Sequence, residues 1–206
     1  LDTANGAHAQ VAEAVRWVRS AAPAVFIVAG NVASAEAFSF LEEQGVDAIR
    51  VGIAGGSVCE TRTETGVYVP TPYAVAEVAS VRRRALIIGD SGVRTPSDAC
   101  KLLALGADCV MVGSALAGTR EAPGRVIVVD GKKFKIMRGA ASFSVQREAG
   151  RDDPEHVEGS ETMVPYKGAV SDVIQRYLAG LRSSMSYMDA RTLDEYRSNA
   201  SFIRLH

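Results

Sequence analysis

Short apolar runs alternate with amphipathic stretches through the first half of the chain. Ala24–Gly30 (AVFIVAG), Asp47–Gly52 (DAIRVG), Ala85–Asp90 (ALIIGD) and Asp108–Gly113 (DCVMVG) are short, β-branched and apolar on both faces. Buried parallel strands read this way, because helices cover both sides of such a sheet. Between the runs the pattern predicts helices near 34–44, 71–82 and 96–105. The third carries Thr95 as cap, Pro96 at the first helical position and Asp98 in the first turn. Gly45 and Gly106 stand where helix C-caps belong.

The alternation is built by repetition. A shift of 61 positions lays residues 25–52 over 86–113 without a gap, matching Val32 with Val93, Gly45 with Gly106, Asp47 with Asp108 and Gly52 with Gly113. Two related β-α-β units predict a parallel α/β fold. A Rossmann sheet is the competing architecture, but its G-x-G-x-x-G turn is absent, so the expectation is a (β/α)8 TIM barrel. Only four complete strands and a stub at Leu1–Thr3 are present. This chain is therefore expected to cover the C-terminal part of such a barrel. Residues upstream or another chain should supply the remaining strands, since a doubly apolar parallel sheet does not tolerate a bare edge. The expected pairings are Leu1–Thr3 on the strand at 24–30, and a free edge on the strand at 108–113.

After Gly113 the pattern changes. Arg125–Val129 and Lys132–Met137 flank Asp130-Gly131, a two-residue hairpin signal. Residues 139–163 are polar and read as one long loop, expected to act as a mobile flap. Helices near 169–184 and 192–200 close the chain, the second with a capping box of Thr192 and Glu195. The whole of 1–206 reads as one catalytic domain.

Charge narrows the range of partners. The formal net charge of the 206 residues is −1, which gives no basic field for nucleic acid. No apolar run reaches the roughly 20 residues of a bilayer span. Three cysteines at unpatterned spacing argue against a disulfide framework and for a reducing, cytoplasmic setting. No histidine spacing reads as a zinc site.

The candidate chemistry follows the strands. Gly52-Ile-Ala-Gly-Gly-Ser-Val-Cys59 comes directly after one of them, and its glycines let backbone approach a ligand closely. Cys59 is the one cysteine in a polar loop and is the candidate nucleophile. Cys100, in a helix, and Cys109, in an apolar run, read as buried structural thiols. Asp90 ends another strand, as a ribose-diol acceptor or a turn residue. Gly113-Ser114 follow the last strand, where phosphate would meet backbone amides.

At this point the motifs GSVCETRTETG (56–66), GDSGVRTPSD (89–98), GADCVMVGSALAGTREAPG (106–124), DGKKFKIMRGAAS (130–142), VPYKG (164–168) and GLRSSMSY (180–187) resemble, in order, the IMP dehydrogenase/GMP reductase family. The resemblance runs from Asp2 to the C-terminus. It implies NAD-dependent oxidation of IMP to XMP, a step in guanine-nucleotide biosynthesis, through a covalent thioimidate on Cys59 with Thr61 helping to activate water. It implies that Ser57, Gly92, Gly113 and Ser114 hold the phosphate, Asp90 the ribose, and Gly139, Glu158 and Gly159 the base. Asp2 and Gly52 would meet the nicotinamide half of NAD. Main-chain carbonyls of Ala54, Gly56 and Cys59 would hold a potassium ion, and the assembly would be a homotetramer.

The chain departs from the family pattern in places. The loop reads GIAGGS rather than GIGPGS, and RGAAS stands for RGMGS. Met137 replaces an aromatic phosphate contact. The flap lacks the dehydrogenases' Arg-Tyr, leaving Arg147 and Arg151 as its arginines, and Phe143 stands where reductases carry a glutamate. The alternatives are thus an NADPH-dependent GMP reductase and a non-catalytic nucleotide-binding paralogue.

Overall fold

A computed structural model describes residues 1–150, 157 and 159–203. Four strands, β1 (Val28–Val32), β2 (Ala48–Val51), β3 (Leu86–Asp90) and β4 (Cys109–Met111), pair in that order, all parallel. Helices α1 (Ala9–Ala21), α2 (Ala35–Glu43), α3 (Thr61–Thr65), α4 (Thr71–Val81) and α5 (Pro96–Ala104) form the connections. The core lies between sheet and helices, where Phe38, Leu41, Ile49 and Ile87 are fully buried. Each such side chain contributes roughly 1.5–3 kcal/mol.

The sequence repeat is a repeat of ion pairs at the sheet's lower end. Asp47 accepts the Ile27 N–H at 2.7 Å and pairs with Arg19 of α1 at 2.7 Å. Asp108 accepts the Ile87 N–H at 2.8 Å and pairs with Arg82, just past α4, at 2.5 Å. In each unit an arginine at the end of one helix is clamped by the aspartate that opens the next strand but one. The aspartate also satisfies an amide that the parallel ladder leaves without a partner. Glu42 does comparable work from α2, its buried carboxylate accepting the N–H groups of Arg83, Arg84 and Ala85.

The predicted punctuation is present. Thr95 and Asp98 form a reciprocal capping box, as do Thr192 and Glu195. Gly45 and Gly106 follow their helices at φ 90° and 117°. Asp130 and Gly131, at φ 50° and 76°, make the turn between β5 (Ile127–Val129) and β6 (Lys132–Arg138). The stub pairs where expected: Thr3 N–H donates to the Gly30 carbonyl at 2.8 Å, and the Thr3 carbonyl accepts the Asn31 N–H at 2.9 Å.

Four expectations need correction. The first strand starts at Val28 rather than Ala24, leaving Val25 and Phe26 exposed. Residues 139–163 are not one loop: α6 (Phe143–Glu148) and the start of β7 (Glu161–Pro165) lie within them. β7 pairs antiparallel with β6, so the hairpin is part of a three-stranded sheet. Cys109 is exposed rather than buried, because β4 is an edge strand with no neighbour on its outer side among the described residues. Part of the expected flap, residues 151–156 and 158, lies outside the described residues. Helices α7 (Val170–Tyr187) and α8 (Leu193–Asn199) pack over α5, with Tyr196 buried between them. No described helix is long and apolar enough to cross a membrane.

Candidate active site

Parallel strands place their carboxyl ends on one side, and the chemistry-bearing residues follow those ends. Gly52 continues β2 and Asp90 closes β3. The two backbones touch: a Cβ on Gly52, at φ 139°, would lie 1.9 Å from the Asp90 carbonyl oxygen. Only glycine fits there, and the close approach swings the following loop across the sheet. Ala54, at φ 60°, is a non-glycine residue in the left-handed region and completes the swing. The loop then turns tightly, with the Cys59 N–H on the Gly56 carbonyl at 3.2 Å.

Cys59 and Thr61 are brought together. The thiol Sγ donates to the Thr61 hydroxyl at 3.3 Å. Cys59 forms an isolated bridge with Gly159, and Ser160 N–H donates to the Val58 carbonyl at 2.9 Å. Residues 159 and 160, near the end of the expected flap, thus lie against the cysteine loop. Gly139 and Gly159 have no room for side chains: a Cβ on Gly139 would sit 3.1 Å from Gly159 Cα, and one on Gly159 would sit 2.8 Å from Ser142 N. Glu158 lies outside the described residues.

A cavity of about 680 Å³ opens at this point, lined among others by Asp2, Asn31, Arg50, Ser57, Cys59 and Gly139. Asp2, Asn31 and Arg50 of its lining belong to one ion-pair chain. Asp90, buried, receives three donors on Oδ2: Asn31 Nδ2 at 2.7 Å, Arg50 Nη2 at 2.8 Å and Arg50 Nε at 3.0 Å. Arg50 Nη1 also reaches Asp2 Oδ2 at 2.7 Å. Burial works against the charge on Arg50, but hydrogen bonds to Asp2 and Asp90 outweigh it and raise its pKa. Arg50 and Asn31 are site residues that the sequence reading missed.

Three of the four residues expected to share a phosphate line adjoining cavities. Ser57 lines the cavity with Cys59, Gly92 lines an adjoining one, and Gly113 lines a third that shares Met137 with the first. Each still lies just beyond a strand's carboxyl end, and Gly113 has open space around its Cα. Gly92 takes φ 78° after Ser91 at φ 75°, and consecutive turn residues of this kind aim amides into a concavity.

Neither suggested cofactor is foreign to these residues. Asp2, Gly52 and Cys59 line one cavity, and the Asp2 side chain is 74% exposed. Carbonyls of Ala54, Gly56 and Cys59 are hard oxygen donors on a loop curled by Ala54's left-handed turn, a donor set suited to an alkali cation. No group of three His, Cys, Asp or Glu side chains that could hold a metal occurs among the described residues.

An α/β-barrel protein with a loop cysteine at the carboxyl ends of its strands is the class defined by these features. Residues 1–206 match the model of the IMP dehydrogenase/GMP reductase domain, and the chain belongs to that family. It is 41% identical over 215 residues to the inosine-5'-monophosphate dehydrogenase of Aquifex aeolicus and 41% identical over 218 residues to that of Nitrosopumilus maritimus. All of this chain is covered in both, against 44% and 46% of the relatives' lengths. A GMP reductase from Trypanosoma brucei, solved as a cysteine-to-alanine variant with guanosine 5'-monophosphate, superposes with a TM-score of 0.94 at 39% identity. It covers all of this chain and 44% of its own. The chain thus spans less than half the length of these relatives, and its parallel sheet is part of their barrel fold.

Proposed function

We propose that this chain carries the nucleophile and much of the substrate site of an NAD-dependent IMP dehydrogenase. The observation that supports it best is the Cys59–Thr61 pair, 3.3 Å apart, in one cavity with Asp2, Arg50 and Ser57. The curated relatives' names point the same way.

In this reading the Cys59 thiolate attacks C2 of the purine and forms a C–S bond. Asp2 and Gly52 would hold NAD, whose nicotinamide would supply the acceptor for the hydride on C2. Water then attacks C2 of the thioimidate, Thr61 taking part in its activation. The C–S bond breaks, the thiol is restored, and the new oxygen stays on the base as XMP. Asp90 keeps one carboxylate oxygen for the ribose diol, the other being held by Arg50 and Asn31. Ser57, Gly92, Gly113 and Ser114 receive the phosphate, and Gly139, Glu158 and Gly159 flank the base. The carbonyls of Ala54, Gly56 and Cys59 would hold a potassium ion, which would stiffen the cysteine loop. We also propose a homotetramer.

GMP reduction with NADPH is the second reading, favoured by the solved relative that holds guanosine 5'-monophosphate. The test is NADH absorbance on mixing the protein with IMP, NAD and potassium, beside NADPH consumption with GMP. Growth of the first signal alone supports the dehydrogenase. Loss of NADPH with GMP selects the reductase. Nucleotide binding with neither signal identifies a non-catalytic paralogue.

A further inference from the structure

Lys167 has no part in the chemistry above, yet its ammonium reaches the edge of the phosphate site. It lies two residues past β7 and donates to the carbonyl oxygens of Ser114 at 2.9 Å and Ala115 at 2.8 Å. Those carbonyls belong to the turn that opens at Gly113, where Leu116 N–H returns to the Gly113 carbonyl at 2.9 Å. Backbone bonds stitch the approach. Lys167 N–H donates to Gly118 O at 2.8 Å, and Arg120 N–H donates to Gly168 O at 2.7 Å. A Cβ on Gly118 would lie 2.0 Å from the Pro165 carbonyl oxygen, so the two segments could not pack this closely with any other residue there.

Peptide planarity gives this contact a consequence. A trans peptide sets its C=O and N–H on opposite sides. With the Ser114 carbonyl turned to the ammonium, the N–H of that peptide unit, carried by Ala115, turns away from it. An ammonium on the carbonyl side fixes the direction of the Ala115 amide and places a positive charge behind it, while the Leu116 N–H closes the turn on Gly113. Both effects favour an anion on the amide side. The same stretch of chain reaches the nucleophile at its other end, through Ser160 on Val58 and Gly159 beside Cys59. β7 therefore forms a strut between the cysteine loop and the Gly113 turn.

We propose that Lys167 is a positioning residue for the substrate phosphate, holding the Gly113–Ser114 turn in its anion-binding shape and tying it through β7 to the Cys59 loop. This rests on the reading that the turn receives the phosphate. Partial desolvation pulls the Lys167 pKa below the ordinary lysine value.

Calorimetric titration of the intact protein and of Lys167→Met and Lys167→Arg tests this with IMP, inosine and ribose 5-phosphate. Lys167→Met should weaken both phosphate-bearing ligands about tenfold, the scale of one lost charge-assisted bond, and leave inosine unchanged. Lys167→Arg should restore most of the loss. Circular dichroism confirms that each variant is folded. Equal weakening of IMP and inosine, or no weakening of either phosphate ligand, overturns the role of Lys167. Binding of ribose 5-phosphate but not IMP by the unsubstituted protein removes the purine reading, and the ribose 5-phosphate arm then decides Lys167 alone. No phosphate-dependent binding in the unsubstituted protein overturns both.

Discussion

Arg50 donates from both Nε and Nη2 to the same oxygen of Asp90, at 3.0 and 2.8 Å, while its third nitrogen holds Asp2 at 2.7 Å. One planar guanidinium thereby joins a residue expected at the cofactor to a residue expected at the substrate ribose. A lysine cannot reproduce this, because its ammonium is a point charge without the fork. Arg50→Lys is expected to raise the KM for both IMP and NAD about tenfold or more, on the roughly 1.5–3 kcal/mol that each charged hydrogen bond contributes. Steady-state kinetics with each substrate varied in turn checks it, and an effect confined to one substrate removes the bridging role.

Cys59 carries the second prediction. Cys59→Ala deletes the nucleophile but leaves the Asp90 chain and the strand ends intact. Turnover should fall to background while IMP still binds within a few-fold of its original affinity. Mass spectrometry of the unsubstituted protein mixed with IMP and NAD should show an adduct that the variant lacks. A variant that turns over normally sinks the covalent mechanism.

The strands, their order and most caps were legible because they rest on local signals: two-sided apolar runs, glycine at helix ends, and Thr with Asp or Glu three residues on. Arg50 and Asn31 were not read as site residues, although both sit in or beside apolar strands. A charged residue inside a run such as DAIRVG needs a buried partner, and that was the available clue to Asp90. β7 gave no comparable clue. ETMVP is largely exposed, shows no clean alternation, and takes its form from pairing on β6. Cys109 misled for the opposite reason. Its apolar run implied burial, but burial of a strand depends on the neighbour beyond it, which no local pattern encodes.

The clamp at the lower end of the sheet predicts a direction for acid sensitivity. Burial of Asp108 would raise its pKa, but the Ile87 N–H together with Arg82 and Arg197 holds it below the ordinary value. The Asp47 pKa is lowered first by the Ile27 N–H and further by Arg19. A carboxylate depressed in the folded state stabilises the fold above its unfolded pKa, about 4. That contribution is lost as pH falls from there through the folded value. Thermal midpoints should therefore be flat on these groups' account from about pH 5 upward and drop below about pH 4. Asp108→Asn leaves two arginines facing a neutral amide and should cost about 2 kcal/mol at neutral pH, less than a fully buried pair because its site is partly wet. The variant should also lose part of the acid-side slope. A slope identical to the unsubstituted protein's would show that Asp108 does not titrate with folding.

The last prediction concerns Ala54, at φ 60° on the loop that delivers Cys59. A left-handed conformation costs an L-residue roughly 1–2 kcal/mol, because Cβ crowds the following carbonyl, whereas glycine meets no such crowding. Gly55 follows directly, and a Cβ there would lie 2.5 Å from Ser91 Oγ. The strained position and the tight position are therefore adjacent, and only the tight one holds a glycine. Ala54→Gly should remove the strain and raise folding stability by several tenths to about 1 kcal/mol, since part of the gain is returned as backbone entropy in the unfolded chain. Gly55→Ala should do the reverse, forcing Ser91 aside and displacing the loop that carries Cys59. Chemical denaturation reads the stability of both variants, and the rate of thiol alkylation at Cys59 reads the loop. Stabilisation by Gly55→Ala, or a clear loss from Ala54→Gly, would show that this loop does not hold the left-handed turn that places the nucleophile.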